Sequence, residues 1–124
     1  MKKLISLGQA VKDLRQKKIS KSYFLYGNDI FMQDFFIEEF KKKIKANSYL
    51  YYLGYDQEEI IFNELSNLSL FDSKKIIIIK NINRLTVKSK KKLLEYLSDS
   101  KSDNYLILVK NNFDSRNKFI DSLI

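Results

Sequence analysis

Four consecutive isoleucines, Ile76 to Ile79, restrict the possible folds of this chain more than any other feature. A strand with one solvated face alternates apolar and polar residues, whereas an unbroken aliphatic run is the mark of a strand buried on both faces. The run is far too short to cross a bilayer. The predicted fold class is therefore α/β: a three-layer domain with a parallel sheet flanked by helices on both sides.

The rest of the chain is patterned to supply those layers. Residues 7–17 read as a helix with Leu7, Val11 and Leu14 on one face, and Tyr23-Phe24-Leu25-Tyr26 as a strand stopped by Gly27. Asn28 is placed to cap a helix over 29–45, whose apolar side carries Phe31, Phe35, Phe36, Phe40 and Ile44 and whose last turns carry Lys41, Lys42, Lys43 and Lys45. A second strand is expected over 49–55. Asp56, with Glu59 three residues on, then starts a helix with Ile61, Leu65 and Leu68 inward. The isoleucine strand spans 75–79. It is followed by a helix over 88–97 with Leu93, Leu94 and Leu97 inward, and by a fourth strand over 105–109. Strands separated by helices imply right-handed crossovers. The start of a further amphipathic helix, with Phe119, Ile120 and Leu123, runs to residue 124 without a cap. Residues 1–124 are thus expected to be one domain and a fragment of a longer chain.

Several chemistries are closed to this composition. With no cysteine, histidine, tryptophan or proline, the chain has no disulfide, no thiolate or imidazole metal ligand, and no Ser-His or Cys-His nucleophile. No cofactor or metal site is expected. The start, Met1-Lys2-Lys3-Leu4-Ile5, lacks the features of a signal peptide, and a cytoplasmic protein with no membrane partner is expected.

A strand, a glycine and a long helix are the layout that carries a phosphate loop, Gly-x-x-x-x-Gly-Lys-[Ser/Thr]. Counted from Gly27, the second glycine, lysine and hydroxyl positions hold Met32, Gln33 and Asp34. The close backbone approach, the phosphate-binding cation and the magnesium ligand are all missing, and Asp29 adds negative charge. After the third strand, where such NTPases present carboxylates to magnesium, stand Lys80 and Asn81. The reading is a P-loop-like architecture with a degenerate nucleotide site, and an aberrant NTPase is the rival. Glu38 and Glu39 are assigned to a solvated helix face, and Glu58 and Glu59 to capping and the helix dipole.

The net charge of +8 is almost all lysine, with arginine only at 15, 84 and 116. Scarce proline and glycine with abundant Lys, Asn, Ile, Tyr and Phe are also what A/T-rich coding produces. The excess is read first as background and second as a DNA-binding surface, for which Lys88, Lys90, Lys91 and Lys92 are the candidate residues.

One tract does not fit the helical phasing. Ile61, Leu65 and Leu68 share a stripe, but Leu70 lies about 200° beyond Leu68, and Phe71 is adjacent. Either both tuck under the sheet or both stand out as a plug for a partner.

Taken together, Tyr23-Phe24-Leu25-Tyr26-Gly27-Asn28-Asp29 with Phe31, then Leu68-Ser69-Leu70-Phe71-Asp72-Ser73-Lys74-Lys75 leading into Ile76 to Ile79, then Tyr105-Leu106-Ile107-Leu108, resemble the N-terminal domain of the delta subunit of the bacterial DNA polymerase III clamp loader. The tract Asn67-Leu68-Ser69-Leu70-Phe71 is also similar to the clamp-binding pentapeptide Gln-Leu-[Ser/Asp]-Leu-Phe, with Asn67 where glutamine is usual. The resemblance implies an AAA+ topology without ATPase activity. It also implies a role in DNA replication, in which Leu70 and Phe71 enter a pocket on the sliding clamp (the beta subunit) and help to open the ring. The other clamp-loader subunits are then partners through a C-terminal region beyond residue 124, and DNA is met only indirectly.

Overall fold

The computed structural model describes residues 7–27, 29–53, 58–66, 75–98 and 104–110. In these residues the elements run α1 (Leu7–Arg15), β1 (Ser22–Tyr26), α2 (Ile30–Ile44), β2 (Asn47–Tyr52), α3 (Glu58–Ser66), β3 (Lys75–Lys80), a 3-10 turn (Ile82–Arg84), α4 (Val87–Ser98) and β4 (Tyr105–Lys110). The strands form one sheet in the order β1-β4-β3-β2, and every neighbouring pair is parallel.

The isoleucine run behaves as its pattern requires. Ile76 and Ile78 enter one core with Ala10, Val11 and Leu14 of α1, Phe36, Ile37 and Phe40 of α2, and Ile107 and Val109 of β4. Ile77 and Ile79 enter the opposite core with Ile61 and Leu65 of α3, Leu93 of α4, and Leu106 and Leu108 of β4. Strand alternation therefore feeds two helical layers. The crossover from β1 to β2 runs in one direction along the sheet, and those from β2 through β3 to β4 run back. If each crossover keeps the same hand, reversing direction puts its helix on the other face. α2 accordingly packs on one side, and α3 and α4 on the other.

Two local expectations need correction. The residue capping α2 is Asp29 rather than Asn28: its carboxylate accepts from the Met32 backbone N–H at 3.0 Å. Asn28 itself lies outside the described residues. The inward face of α2 is also narrower than its phenylalanines suggest. Phe36 and Phe40 are fully buried, but Phe31 is 76% exposed and Phe35 37%. The helix buries Gln33, Phe36, Ile37 and Phe40, and Phe31 and Phe35 stand about 160–200° round from Gln33 at 100° per residue. The last turn closes through Lys45 in the left-handed conformation, its N–H donating to the Lys41 carbonyl. Asp29→Ala is expected to destabilise the fold by about 1 kcal/mol, as a lowered urea midpoint with an unchanged slope.

The second strand starts two residues earlier than expected and ends at Tyr52, with Leu53 extending the pairing through its N–H to the Lys80 carbonyl. The helix start at Asp56, the inward Leu68 and the helix at 116–124 all lie outside the described residues.

Candidate functional site

The carboxyl ends of parallel strands are where open α/β sheets bind ligands, and three features meet at that edge here. β1 ends at Gly27, which is buried with φ 142°, a value open to glycine and closed to residues with a Cβ. Its N–H donates to the carbonyl of Lys110 at the end of β4. β3 ends beside it at Lys80.

Around this turn the chain's own groups take the positions a nucleotide would need. A helix N-terminus is a ready anion site, and at α2 the Asp29 carboxylate already occupies it. Gln33, at the phosphate-loop lysine position, is buried and turns its amide back to donate to the Gly27 carbonyl at 3.1 Å. Asp34, at the magnesium-ligand position, bonds the Lys80 ammonium at 3.3 Å, and that ammonium lies 5.5 Å from the centre of the Tyr52 ring. Lys80 is the last residue of the third strand, at the end where an NTPase would present a carboxylate. The charges of the metal-binding arrangement are thus inverted, with an acid on the helix and a cation at the end of the strand. Lys110 is buried, with its ammonium 5.9 Å from the Tyr26 ring centre. The geometry suits internal bracing of the turn, and the Lys80 ammonium stands where a magnesium ion would need a carboxylate.

Glu58 has more to do than satisfy the dipole of α3. Its carboxylate accepts from the Thr86 N–H at 2.9 Å, Thr86 Oγ1 at 3.1 Å and Ser89 Oγ at 2.6 Å, binding the start of α4 to the start of α3. Burial, the largest single influence, pushes its pKa up. The hydrogen bonds from Ser89 and from the backbone and side chain of Thr86 together outweigh it, and the pKa lies below the ordinary 4.5. The unfolded chain therefore binds more protons than the folded one in this range. The contribution of Glu58 is complete above about pH 4.5 and is lost as pH falls through the lower folded value. Glu58→Gln is expected to flatten the fall in urea midpoint between roughly pH 5 and pH 3.

The lysine cluster lies on α4. Lys88, Lys91 and Lys92 are exposed and Lys90 half-buried, with the Lys92 ammonium 5.8 Å from the Phe62 ring centre. Exposure of this kind suits a solvated helix face and a DNA-facing surface alike. Glu38 is exposed, whereas Glu39 is half-buried and 3.7 Å from Arg15, tying α2 to α1.

The tract formed by Asn67, Leu68, Ser69, Leu70 and Phe71 lies outside the described residues, but both of its flanks are described. Glu64, in the last turn of α3, and Lys75, the first residue of β3, form an ion pair at 2.8 Å. The Lys75 side chain is 4% exposed and that of Glu64 23%. Sequence reasoning missed this pair, the Gln33 bond, the Asp34–Lys80 bond and the bonds from Thr86 and Ser89 to Glu58. All but the Gln33 bond join residues brought close only by the fold.

Comparison with known proteins decides the family. The family described as DNA polymerase III, delta subunit, matches residues 23–124, more than four-fifths of the chain. The chain belongs to that family. Among solved structures, this delta-family chain is similar to the Bacillus subtilis DNA clamp loader delta protein (YqeN), with a TM-score of 0.77 and 16% identity over 95% of this chain and 40% of that one. It is also similar to Thermotoga maritima RuvB R170A, with a TM-score of 0.63 and 12% identity, again over 95% of this chain and 40% of the other. At these identities the two likenesses establish the fold alone, and the delta-family chain spans two-fifths of the length of each. No curated protein matches it. Among the described residues no helix is long and apolar enough to cross a membrane.

Proposed function

We propose that this chain is a non-catalytic subunit of a clamp loader in DNA replication, a cytoplasmic protein that docks on the sliding clamp through the tract at 67–71. Leu70 and Phe71 are the plug, and Leu68, Ser69 and Asn67 complete the contact. Docking favours the open ring if the opened clamp is bound more tightly than the closed one, because a ligand shifts an equilibrium only by its differential affinity. The other clamp-loader subunits supply ATP hydrolysis, and DNA is met through the assembly.

The observation that carries the non-catalytic part is the inverted constellation at the end of the sheet. Gln33 is bonded to the Gly27 carbonyl and Asp34 to Lys80, while the Asp29 carboxylate holds the helix N-terminus. This supports an AAA+ topology from which the nucleotide chemistry has been lost. The docking part is supported by membership of the delta-subunit family and by the likeness of residues 67–71 to the clamp-binding pentapeptide. Calorimetric titration with ATP and magnesium is expected to give no binding heat, while the protein co-elutes with purified clamp in size-exclusion chromatography without nucleotide. Saturable ATP binding would overturn the non-catalytic reading, and separate elution the docking reading.

A further inference from the structure

The positive charge of the chain is concentrated. Residues 12–21 and 38–45 hold nine basic and three acidic side chains, a net of +6 out of +8 for the whole chain. The fold brings both stretches to one edge. α1 and α2 pack on the same face of the sheet and lead into β1 and β2, and the strands are parallel, so both helices end at the edge opposite the Gly27 turn. With β4 and β3 between β1 and β2, the two stretches reach that edge about 14 Å apart. Arg15 and Glu39, 3.7 Å apart, bridge the helices, and the Lys21 ammonium lies 5.5 Å from the ring centre of Tyr105 at the start of β4.

The acids at this edge are already engaged. Glu38 is paired with Lys41 at 3.3 Å, Glu39 with Arg15, and Asp13 accepts from the Gln9 amide at 3.0 Å. Lys12, Lys17, Lys18, Lys42, Lys43 and Lys45 are exposed, and none forms an ion pair with another described residue. One or two cations answer the dipole of a helix end, whereas six leave an uncompensated positive field. The backbone adds a second sign. The chain leaves α1 through Lys17 at φ 62° and α2 through Lys45 at φ 56°, a left-handed position usually given to glycine because a Cβ crowds the carbonyl there. Both helix ends thus carry a cation where glycine fits with less strain.

We propose that this edge is a binding surface for the phosphate backbone of duplex DNA, engaged without regard to sequence. Lysine ammoniums neutralise phosphates and release their counterions. Base readout favours the arginine fork, and Arg15 is here turned to Glu39. A single strand is held by stacking its bases on open rings, but Tyr23 and Tyr105, at the starts of β1 and β4, are packed edge-on against Phe40. The 14 Å separation is close to the ~12 Å width of the major groove, which puts phosphates on both of its walls within reach of the two stretches. Direct contact of this kind goes beyond the access to DNA through the assembly proposed above.

Fluorescence anisotropy of a labelled duplex of about 20 base pairs, titrated with the full chain from roughly 50 mM salt upward, tests this. No clamp is present, so failure here is separate from failure of the docking function. One triple variant, Lys18→Gln, Lys42→Gln and Lys43→Gln, removes three charges from the edge. A second, Phe31→Glu, Ile60→Glu and Asn63→Glu, lowers the net charge equally at exposed positions elsewhere. The expected result is saturable binding by wild type, at least about tenfold weaker in the edge variant, with the slope of log affinity against log salt shallower by about two to three. The second variant is expected to lose less than about threefold, because charges beyond the Debye length are screened. If the edge variant fails to fold, Lys42→Gln with Lys43→Gln is held to the same comparison. Absence of binding by wild type, or equal losses in the two variants, would overturn the assignment. So would tighter binding of a single strand of the same length, or equal binding of a labelled polyglutamate. Loss of binding in Lys88→Gln with Lys91→Gln and Lys92→Gln, while the edge variant binds like wild type, would move the contact to α4 and overturn it as well.

Discussion

Phe40→Ala is expected to destabilise the domain by about 3–5 kcal/mol, the range for truncating a large aromatic in a packed core. Phe40 is fully buried in α2 and makes edge contacts at 5.5 Å with Tyr23 of β1 and at 5.5 Å with Tyr105 of β4, and it lies 6.1 Å from Phe36 in its own helix. It therefore joins two strands to the helix that follows the Gly27 turn. A domain of this size has only about 5–15 kcal/mol in hand, so the variant should unfold at a much lower urea concentration. Phe31→Ala, one helix face away and mostly exposed, is expected to stay within about 0.5 kcal/mol of wild type. Equal losses at the two positions would mean that α2 is rotated from the orientation described.

The largest effect on binding is expected from Leu70→Ala combined with Phe71→Ala. Fully burying each side chain in a partner is worth roughly 1.5–3 kcal/mol, so removing both should weaken clamp binding by about two to four decades. In the sequence, the periodicity of Ile61, Leu65 and Leu68 excludes Leu70 from their stripe. The urea midpoint of the double variant is accordingly expected to stay near that of wild type. A collapse of stability instead would mean that the two side chains tuck under the sheet and are not offered to a partner.

How much could be read from residues alone varied with the range of the interaction concerned. The aliphatic run at 76–79 implied a parallel sheet with helices on both faces, because periodicity reports burial directly, and its even and odd members do divide between two cores. The failures have physical causes. Phe31 and Phe35 belong to the broad apolar side that the sequence pattern gives this helix, but a helix can turn only one arc to the sheet, and that arc is centred near Gln33, Phe36 and Phe40. Gln33 is inside with its amide N–H donating to the Gly27 carbonyl, while its own Oε1 is buried without a partner. The missing phosphate-loop lysine was visible in the sequence, but the replacement of its function by a bond within the chain was not. The Asp34–Lys80, Glu64–Lys75 and Glu58–Thr86 contacts depend on which strand ends and helix ends become neighbours. No local pattern specifies that. The tract at 67–71 was singled out by phasing and by family resemblance, and its docking role rests on those two arguments.

The central claim, that the chain binds the sliding clamp through Leu70 and Phe71, is tested most directly by surface plasmon resonance. Purified clamp is passed over the immobilised wild-type protein and over the folded Leu70→Ala, Phe71→Ala variant. Saturable binding to the wild type, weakened by at least about a hundredfold in the variant, is the predicted result. Equal affinity for the two proteins would contradict it.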